Sequence, residues 1–263
     1  MWYSDKAADA GNEQKGRLEE QMKLLIVRHG DPDYERDSLT EKGWREAALL
    51  AERMRRSEIT DFYVSPLGRA RDTASLTLEK MGRTAVECDW LREFPPQIKR
   101  PDAAPRRKIS WDWLPEDWTA EPAYFDRDRW ASTEIMQEGH VGEMYARVVQ
   151  GLDQILADHG YHRDGAYYRT GKGSRDVLAF FCHFGVECVL LSHLMNVSPM
   201  ILWHHMCAAP SSVTTVNTEE RREGKVIFRV SSFGDISHLY AGDEEPAFAA
   251  RFCETFDSED RHD

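Results

Sequence analysis

The chain has 263 residues, and its 46 acidic against 34 basic residues give a formal charge of −12. A chain of this length can bury a sizeable core as one large α/β domain, with or without an inserted segment. The negative balance argues against a nucleic-acid-binding surface and against an anionic membrane as partner. An anionic ligand must therefore be attracted by local cationic groups.

The cysteines and the N-terminal segment bear on the compartment. The five cysteines are scattered and form no Cys-x-x-Cys pair, which indicates reduced thiols and a cytoplasmic protein. Residues 1–22 are predicted to be a polar leader, either disordered or with a short helix over 14–22. They contain no apolar stretch that would serve as a signal or a membrane span.

The first predicted strand is the apolar run 24–27, which stops at Arg28, His29 and Gly30. A buried strand of this kind brings its last side chains to the carboxyl edge of a sheet, where open α/β folds bind ligands. An imidazole beside a guanidinium suits an anionic substrate, and Gly30 allows a sharp turn and a close backbone approach.

The next elements alternate between helix and strand. Thr40 is the predicted N-cap of a helix that ends by Ser57, Asp61 to Ser65 is a strand, and Leu67 to Met81 is the following helix. This rhythm predicts a three-layer α/β fold with a mainly parallel central sheet flanked by helices.

Residues 95–139 interrupt the rhythm with many prolines and a cluster of tryptophans. Tryptophans need burial, so this segment is predicted to be an ordered insertion that caps the carboxyl edge of the sheet. A helix over 141–159, an apolar strand over 177–182 that ends at His183, and a helix over 186–195 follow it.

Residues 213–218 and 226–231 are predicted to be edge strands that pair as a hairpin. Residues 23–240 would form the single domain, and residues 241–263 an acidic tail. The oligomeric state stays open.

Several separated motifs occur in an informative order. They are Arg28-His29-Gly30, Leu39-Thr40-Glu41-Lys42-Gly43, Ser65-Pro66-Leu67-Gly68-Arg69, Leu91-Arg92-Glu93-Phe94 and Cys182-His183-Phe184-Gly185. In order and spacing they resemble the histidine phosphatase superfamily, the phosphoglycerate mutase-like clan. The resemblance extends from about Lys23 to the strand near Ser231, which is most of the chain.

Two departures from the usual pattern concern the walls of the site. Relatives commonly continue the first motif with a small hydroxyl residue and an asparagine, whereas this chain has Asp31-Pro32-Asp33-Tyr34. Many relatives have two glycines after the second histidine, whereas Phe184 precedes Gly185 here. Both changes affect the choice of substrate more than the chemistry.

The resemblance implies roles for five residues. His29 would be the nucleophile that forms a phosphohistidine, with its second ring nitrogen bonded to a backbone carbonyl near Gly30. Arg28, Arg69 and a protonated His183 would bind the phosphate oxygens. Glu93 would act as general acid and then as general base, although it could equally be a solvated carboxylate.

Other polar residues have less specific interpretations. Glu143 could orient the site or simply favour a helix N-terminus. His159 with His162, and His204 with His205, lack the third ligand that a zinc site needs, so neither a metal nor another cofactor is predicted. The basic group at residues 100 and 106–108 is either a solvated surface or a contact for a polyanionic substrate.

The predicted function is metal-independent hydrolysis of a small cytoplasmic phosphate monoester, with inorganic phosphate as product. A phosphoglycerate-type mutase is the first alternative, but the Glu-Arg-His-Tyr-Gly-like run typical of cofactor-dependent mutases is replaced by Phe94-Pro95-Pro96 after Glu93. The second alternative is a catalytically weak member of the clan that binds a phospho-ligand or a protein.

Overall fold

A computed structural model describes residues 21–103, 105–247, 255 and 257. Its strands are β1 Lys23–Arg28, β2 Pro32–Asp33, β3 Ser38–Leu39, β4 Asp61–Val64, β5 Val86–Glu87, β6 Gln97–Ile98, β7 Lys108–Ile109, β8 His162–Asp164, β9 Tyr167–Arg169, β10 Val177–Cys182, β11 Val213–Arg222 and β12 Lys225–Asp235. Its α-helices are α1 Glu41–Met54, α2 Gly68–Met81, α3 Pro115–Thr119, α4 Glu134–Glu138, α5 Val141–Asp158, α6 Phe184–Met195, α7 Pro199–His205 and α8 Ser237–Ala241. Short 3-10 helices span Asp89–Leu91, Pro101–Ala103 and Pro122–Phe125.

The central sheet has the strand order β5-β4-β10-β1-β11-β12-β9-β8. The pairs β5–β4, β4–β10 and β10–β1 are parallel. The other four pairs of the sheet, beginning with β1–β11, are antiparallel. The predicted α/β fold with helices on both faces of a central sheet is confirmed.

The predicted hairpin of β11 and β12 is present, but its placement at the sheet edge is wrong. Strand β11 also pairs with β1, and β12 also pairs with β9, so both strands lie inside the sheet. The hairpin of β8 and β9 covers that side. Its three-residue strands are too short and too polar to produce a strand pattern in the sequence.

Alternating side chains of the central strands form two cores. Leu25 and Val27 of β1 pack in one cluster with Leu50 of α1, on the face that α1 and α2 cover. Leu24 and Ile26 belong to the other cluster, which includes residues of α5 and α6. The period of two along a buried strand thus supplies both helix layers with apolar contacts, and this fixes the strand register.

The insertion is ordered around its tryptophans, as predicted. Trp111, Trp113, Trp118 and Trp130 are all at least 94% buried, with 2–6% of their surface exposed. Trp130 packs edge-on against Trp203 of α7 with ring centroids 5.7 Å apart, which joins the insertion to the helices that follow β10. That the insertion acts as a cap stays a prediction.

The basic group of the insertion does not form one solvated face. Arg100 is buried with Asp102 as its ion-pair partner, and its Nη1 donates to the carbonyl of Trp111 at 2.8 Å. It therefore holds the insertion together and is unavailable to a polyanionic ligand.

Residues 1–20 of the predicted leader over 1–22, and most of the predicted tail, lie outside the described residues, so the proposed domain boundaries stay predictions. The start of the tail is attached to α1, because Glu244 accepts hydrogen bonds from Lys42 at 2.7 Å and Arg45 at 2.8 Å. Within the described ranges, every helix is too short or too polar to cross a bilayer.

Candidate active site

The two histidines of the motifs meet at the carboxyl edge of the sheet. Strands β1 and β10 are parallel neighbours with Arg28 opposite Cys182, so His29 and His183 emerge side by side. Their ring centroids are 5.1 Å apart, and both side chains are buried. Residues that are far apart in the chain thus come together because parallel strands end at the same edge.

The ring of His29 is fixed in one orientation. Its Nδ1 lies 2.7 Å from the carbonyl oxygen of Gly30, which confirms the expected backbone hydrogen bond. Because a carbonyl only accepts, Nδ1 carries the proton in the neutral ring and Nε2 keeps its lone pair. Burial, together with the charges of Arg28 and Arg69, lowers the pKa of His29 well below its usual value. The imidazole is therefore neutral at physiological pH.

Hydrogen bonds tie the turn after β1 to helix α2. The Gly30 amide donates to Thr73 Oγ1 at 2.9 Å, and the Thr73 hydroxyl donates to the Arg69 carbonyl at 2.7 Å. A side chain at Gly30 would place its Cβ 2.9 Å from the Gly43 carbonyl oxygen, so the turn requires glycine. The motif of Arg28 to Gly30 and the motif that ends at Arg69 are thus held in a fixed relation.

Both motif arginines lie close enough to His29 to act electrostatically on its ring. Arg28 is buried, donates to the Ala208 carbonyl and lies 5.5 Å from the centre of the Phe184 ring. Arg69 donates from Nη1 to Asp37 Oδ1 at 2.6 Å. Its Nε is buried and has no hydrogen-bond partner among the described residues. Arg69 therefore keeps a buried donor for an anion.

The structure places His183 beside His29, and its ring is neutral when no anion is bound. Burial, and the neighbouring His29 and Arg69, lower the pKa of His183 well below its usual value, so the ring is neutral before an anion binds. Its Nε2 lies 2.8 Å from Ser65 Oγ, and its buried Nδ1 has no hydrogen-bond partner among the described residues. If the serine hydroxyl donates to Nε2, Nδ1–H is a donor that needs no positive charge.

Glu93 lies beside the first turn of α6. Its Oε1 accepts from the Val186 amide at 3.2 Å and from the Phe94 amide at 2.8 Å. Burial raises the pKa of Glu93, while these amides and the two arginines oppose the rise. The structure thus brings Glu93 together with the other motif residues, and its raised pKa suits a proton donor.

Gly185, two residues after His183, is where the backbone approaches Glu93. A Cβ on Gly185 would lie 2.6 Å from Glu93 Oε1 and 2.9 Å from the Trp111 indole. Any side chain here would displace the carboxylate or the indole.

The remaining candidate residues lie apart from this cluster. Glu143 is exposed and accepts from His140 at 2.9 Å, so it does not orient the site. His159 binds Asp176 at 2.7 Å, and His204 lies between the Met200 carbonyl and the Trp113 amide. Among the described residues, no group of three or more histidine, cysteine or acidic side chains could hold a metal ion.

Three residues at the site were not predicted from the sequence. Ser65 positions His183, Asp37 binds Arg69, and the ring of Tyr34 lies over the Arg69 guanidinium at 5.4 Å. The Ser65-Pro66 turn at the end of β4 was a usable signal, because β4 adjoins β10. Asp37 and Tyr34 lie in a short hairpin whose fold determines what they contact.

The family model of the histidine phosphatase superfamily (branch 1) matches residues 24–230. A 2,3-bisphosphoglycerate-dependent phosphoglycerate mutase of Thermoplasma acidophilum is 32% identical over 84 residues, covering 28% of this chain and 42% of the relative. A probable phosphoglycerate mutase of Yersinia pestis is 37% identical over 82 residues, covering 28% of this chain and 38% of the relative. The chain therefore matches about two fifths of the length of these curated relatives.

Solved structures agree in fold. A mycobacterial glucosyl-3-phosphoglycerate phosphatase superposes with a TM-score of 0.52 at 16% identity, covering 81% of this chain and 99% of the other. A phosphoserine phosphatase mutant of Entamoeba histolytica gives a TM-score of 0.51 at 17% identity, with coverage of 83% and 99%. With the family model matching most of its length, the chain belongs to the histidine phosphatase superfamily.

Proposed function

We propose that this protein is a metal-independent phosphomonoester hydrolase that works through a phosphohistidine on His29. The observation that carries the proposal is the His29 Nδ1 contact with the Gly30 carbonyl at 2.7 Å, which holds the proton on Nδ1 and leaves the Nε2 lone pair available for attack on phosphorus. The charges of Arg28 and Arg69 act on this ring, and the two guanidinium groups would supply positive charge for the phosphoryl oxygens.

In the first step, His29 Nε2 attacks phosphorus in line with the ester bond. A P–N bond forms, the P–O bond to the organic group breaks, and protonated Glu93 transfers its proton to the leaving oxygen. The raised pKa of Glu93 supports this role, because the acid must hold its proton near the working pH.

In the second step, water replaces the histidine. The Glu93 carboxylate accepts a proton from the water, whose oxygen attacks phosphorus as the P–N bond breaks. Inorganic phosphate leaves, and Glu93 is again protonated for the next cycle. The same residue thus serves as acid and base in successive steps.

The phosphate contacts follow from the donors that the site leaves available. Arg69 Nε and His183 Nδ1 are buried without hydrogen-bond partners among the described residues, so a phosphoryl oxygen would satisfy both. These donors, with Arg28, would neutralise the transferred group in the way that a metal ion does in other phosphatases. We therefore propose that the reaction proceeds in the presence of a chelator.

We further propose that the substrate is a small cytoplasmic phosphate ester rather than a nucleic acid or a membrane lipid. The overall charge of −12 supports a small substrate that local cations attract. Cys88, Cys182 and Cys188 are in no disulfide among the described residues, which supports a reducing compartment.

A phosphomutase is the second candidate, because curated relatives are named phosphoglycerate mutases. A mutase must keep its phosphohistidine from water until the acceptor binds. The Phe94-Pro95-Pro96 sequence after Glu93 differs from the run that cofactor-dependent mutases carry, and this favours hydrolysis.

Steady-state hydrolysis of an aryl phosphate in chelator tests the proposal. We expect turnover by the wild type, no turnover by His29→Ala, and full turnover by His162→Ala, which removes an exposed histidine of β8. Turnover by His29→Ala would contradict the nucleophile assignment. Absence of wild-type hydrolysis, together with phosphoryl exchange between phosphoglycerates, would favour the mutase.

A further inference from the structure

The hairpin of β2 and β3 carries a large exposed aromatic ring beside the site. Tyr34 lies in the turn between the two strands, and 63% of its surface is exposed. Single exposed aromatic residues are common, so exposure alone has no functional meaning. What distinguishes Tyr34 is the set of residues around it.

Tyr34 lies next to the groups that would bind and cleave the ester. Its ring is 5.4 Å from the Arg69 guanidinium. Its hydroxyl lies within electrostatic reach of Arg28, Arg69, Glu93 and Asp31. The ring thus lies at the solvent side of the arginines and also near the proposed general acid.

The turn that carries Tyr34 is fixed at both ends. Asp33 Oδ1 accepts from the amides of Glu35 at 3.1 Å and Arg36 at 3.2 Å. Asp37 Oδ2 accepts from the Gly68 amide at 2.7 Å, which fastens the far end of the turn to α2. Tyr34 is therefore held in place by hydrogen bonds close to it in the chain.

The proposed reaction determines where the organic group of the ester lies. With phosphorus held at Arg28 and Arg69 and attacked by His29, the leaving oxygen points away from the imidazole and toward Glu93. The organic group attached to that oxygen must continue to solvent, and the exposed Tyr34 ring lies there, 5.4 Å from the Arg69 guanidinium and within electrostatic reach of Glu93. An exposed ring at this point provides a flat apolar contact.

We propose that Tyr34 is the specificity residue that contacts the organic group of the substrate, and that it favours phosphate monoesters with an aromatic or similarly flat apolar group near the ester oxygen. This deepens the proposed function and rests on it. It also gives a role to the Asp31-Pro32-Asp33-Tyr34 segment, in which the chain departs from the usual family pattern.

The test compares benzyl phosphate with ethyl phosphate, which are both alkyl esters and differ in the aromatic ring. We expect Tyr34→Ala to lower kcat/KM for benzyl phosphate about five- to tenfold more than for ethyl phosphate. Tyr34→Phe keeps the ring and should keep the preference. Tyr240→Ala, which removes an even more exposed tyrosine on α8, should leave both values unchanged.

Inhibition by inorganic phosphate shows whether Tyr34 contacts the organic group of the ester or acts only by positioning Arg69. Phosphate has no organic group, so its inhibition constant should change less than twofold in Tyr34→Ala. An equal fall in kcat/KM for both esters, with phosphate inhibition weakened by the same factor, would mean that Tyr34 acts only through Arg69. That result would overturn this inference. Failure of the wild type to hydrolyse either ester would instead contradict the proposed function itself.

Discussion

Arg69 and Asp37 form an ion pair in which Arg69 Nη1 donates to Asp37 Oδ1 at 2.6 Å. The other oxygen of the same carboxylate accepts from the Gly68 amide at 2.7 Å, at the first residue of α2. The preceding residue, Leu67, has no side chain that could cap this helix. One carboxylate from the hairpin therefore caps the helix and orients the arginine that the helix carries.

Replacing Asp37 by asparagine should weaken phosphate binding. The amide oxygen can still accept from Gly68, but the charge that fixes Arg69 is lost. We expect the inhibition constant of inorganic phosphate to rise roughly three- to tenfold, with little change in Tm. In an Arg69→Ala background the same substitution should have no further effect, because the residue acts through Arg69. Tighter phosphate binding in Asp37→Asn would mean that Asp37 competes with the ligand.

Replacing Glu93 by glutamine should affect poor leaving groups most. Loss of a general acid costs about a hundredfold or more in kcat when the leaving oxygen is strongly basic, and less for nitrophenyl phosphate. A series of aryl phosphates measured in single turnover gives the dependence of the first step on leaving-group pKa. The slope should be steeper in Glu93→Gln than in the wild type. Equal slopes would exclude Glu93 as the acid.

The pH dependence of the phosphoryl transfer to His29 follows from two groups whose pKa values are shifted. Burial raises the pKa of Glu93, so the wild-type rate should fall as the pH rises through that raised value and the acid loses its proton. The pKa of His29 is well below its usual value, so the nucleophile stays neutral and limits the rate only at a lower pH. In Glu93→Gln the fall at high pH should be absent. If the rate of Glu93→Gln still falls at high pH, a group other than Glu93 causes the fall.

Replacing Gly185 by alanine should reduce turnover without unfolding the protein. The added methyl would lie 2.6 Å from Glu93 Oε1, so the carboxylate must move. We expect kcat to fall at least tenfold while phosphate inhibition changes little, because a misplaced acid affects chemistry more than anion binding. Gly171→Ala is the matched control, since a Cβ there meets no atom within 4 Å. Equal effects of the two substitutions would contradict the close contact.

Glu187 of α6 should make stability depend on pH. Burial raises the pKa of this carboxyl from its usual 4.5 to about 7. Folding favours the protonated form of this carboxyl. The stability that it contributes is therefore complete below pH 4.5 and is lost as the pH rises through 7. Glu187→Gln should gain roughly 2–3 kcal/mol in unfolding free energy, relative to the wild type, between pH 5 and pH 8. Urea titrations at both pH values measure this, and a constant difference would contradict it.

The residues of the site that directly follow a strand could be predicted from the sequence. His29 and His183 each follow a buried apolar strand, and parallel neighbours end at one edge, so their proximity could be inferred from the pattern. Likewise Thr40 was identified as an N-cap, and its hydroxyl accepts from the Gly43 amide at 3.0 Å. Regular periodicity and capping residues carry this information because they are local.

The remainder depends on contacts that no local pattern encodes. Asp37 binds a helix 31 residues further along the chain, and the charge of Arg100 is paired within an irregular insertion. The neutral state of His183 without an anion follows from its complete burial, which its motif does not encode. The hairpin of β8 and β9, which covers the sheet edge, has strands of only three residues.

Trapping the covalent intermediate tests the central claim most directly. The wild type is mixed with a fast-reacting aryl phosphate, quenched in alkali, where phosphohistidine survives, and digested for mass spectrometry. We expect phosphate on the peptide that contains His29, and none in His29→Ala under the same conditions. Turnover of the wild type with phosphate on another residue, or with no phosphoenzyme in a rapid-quench time course, would contradict the account.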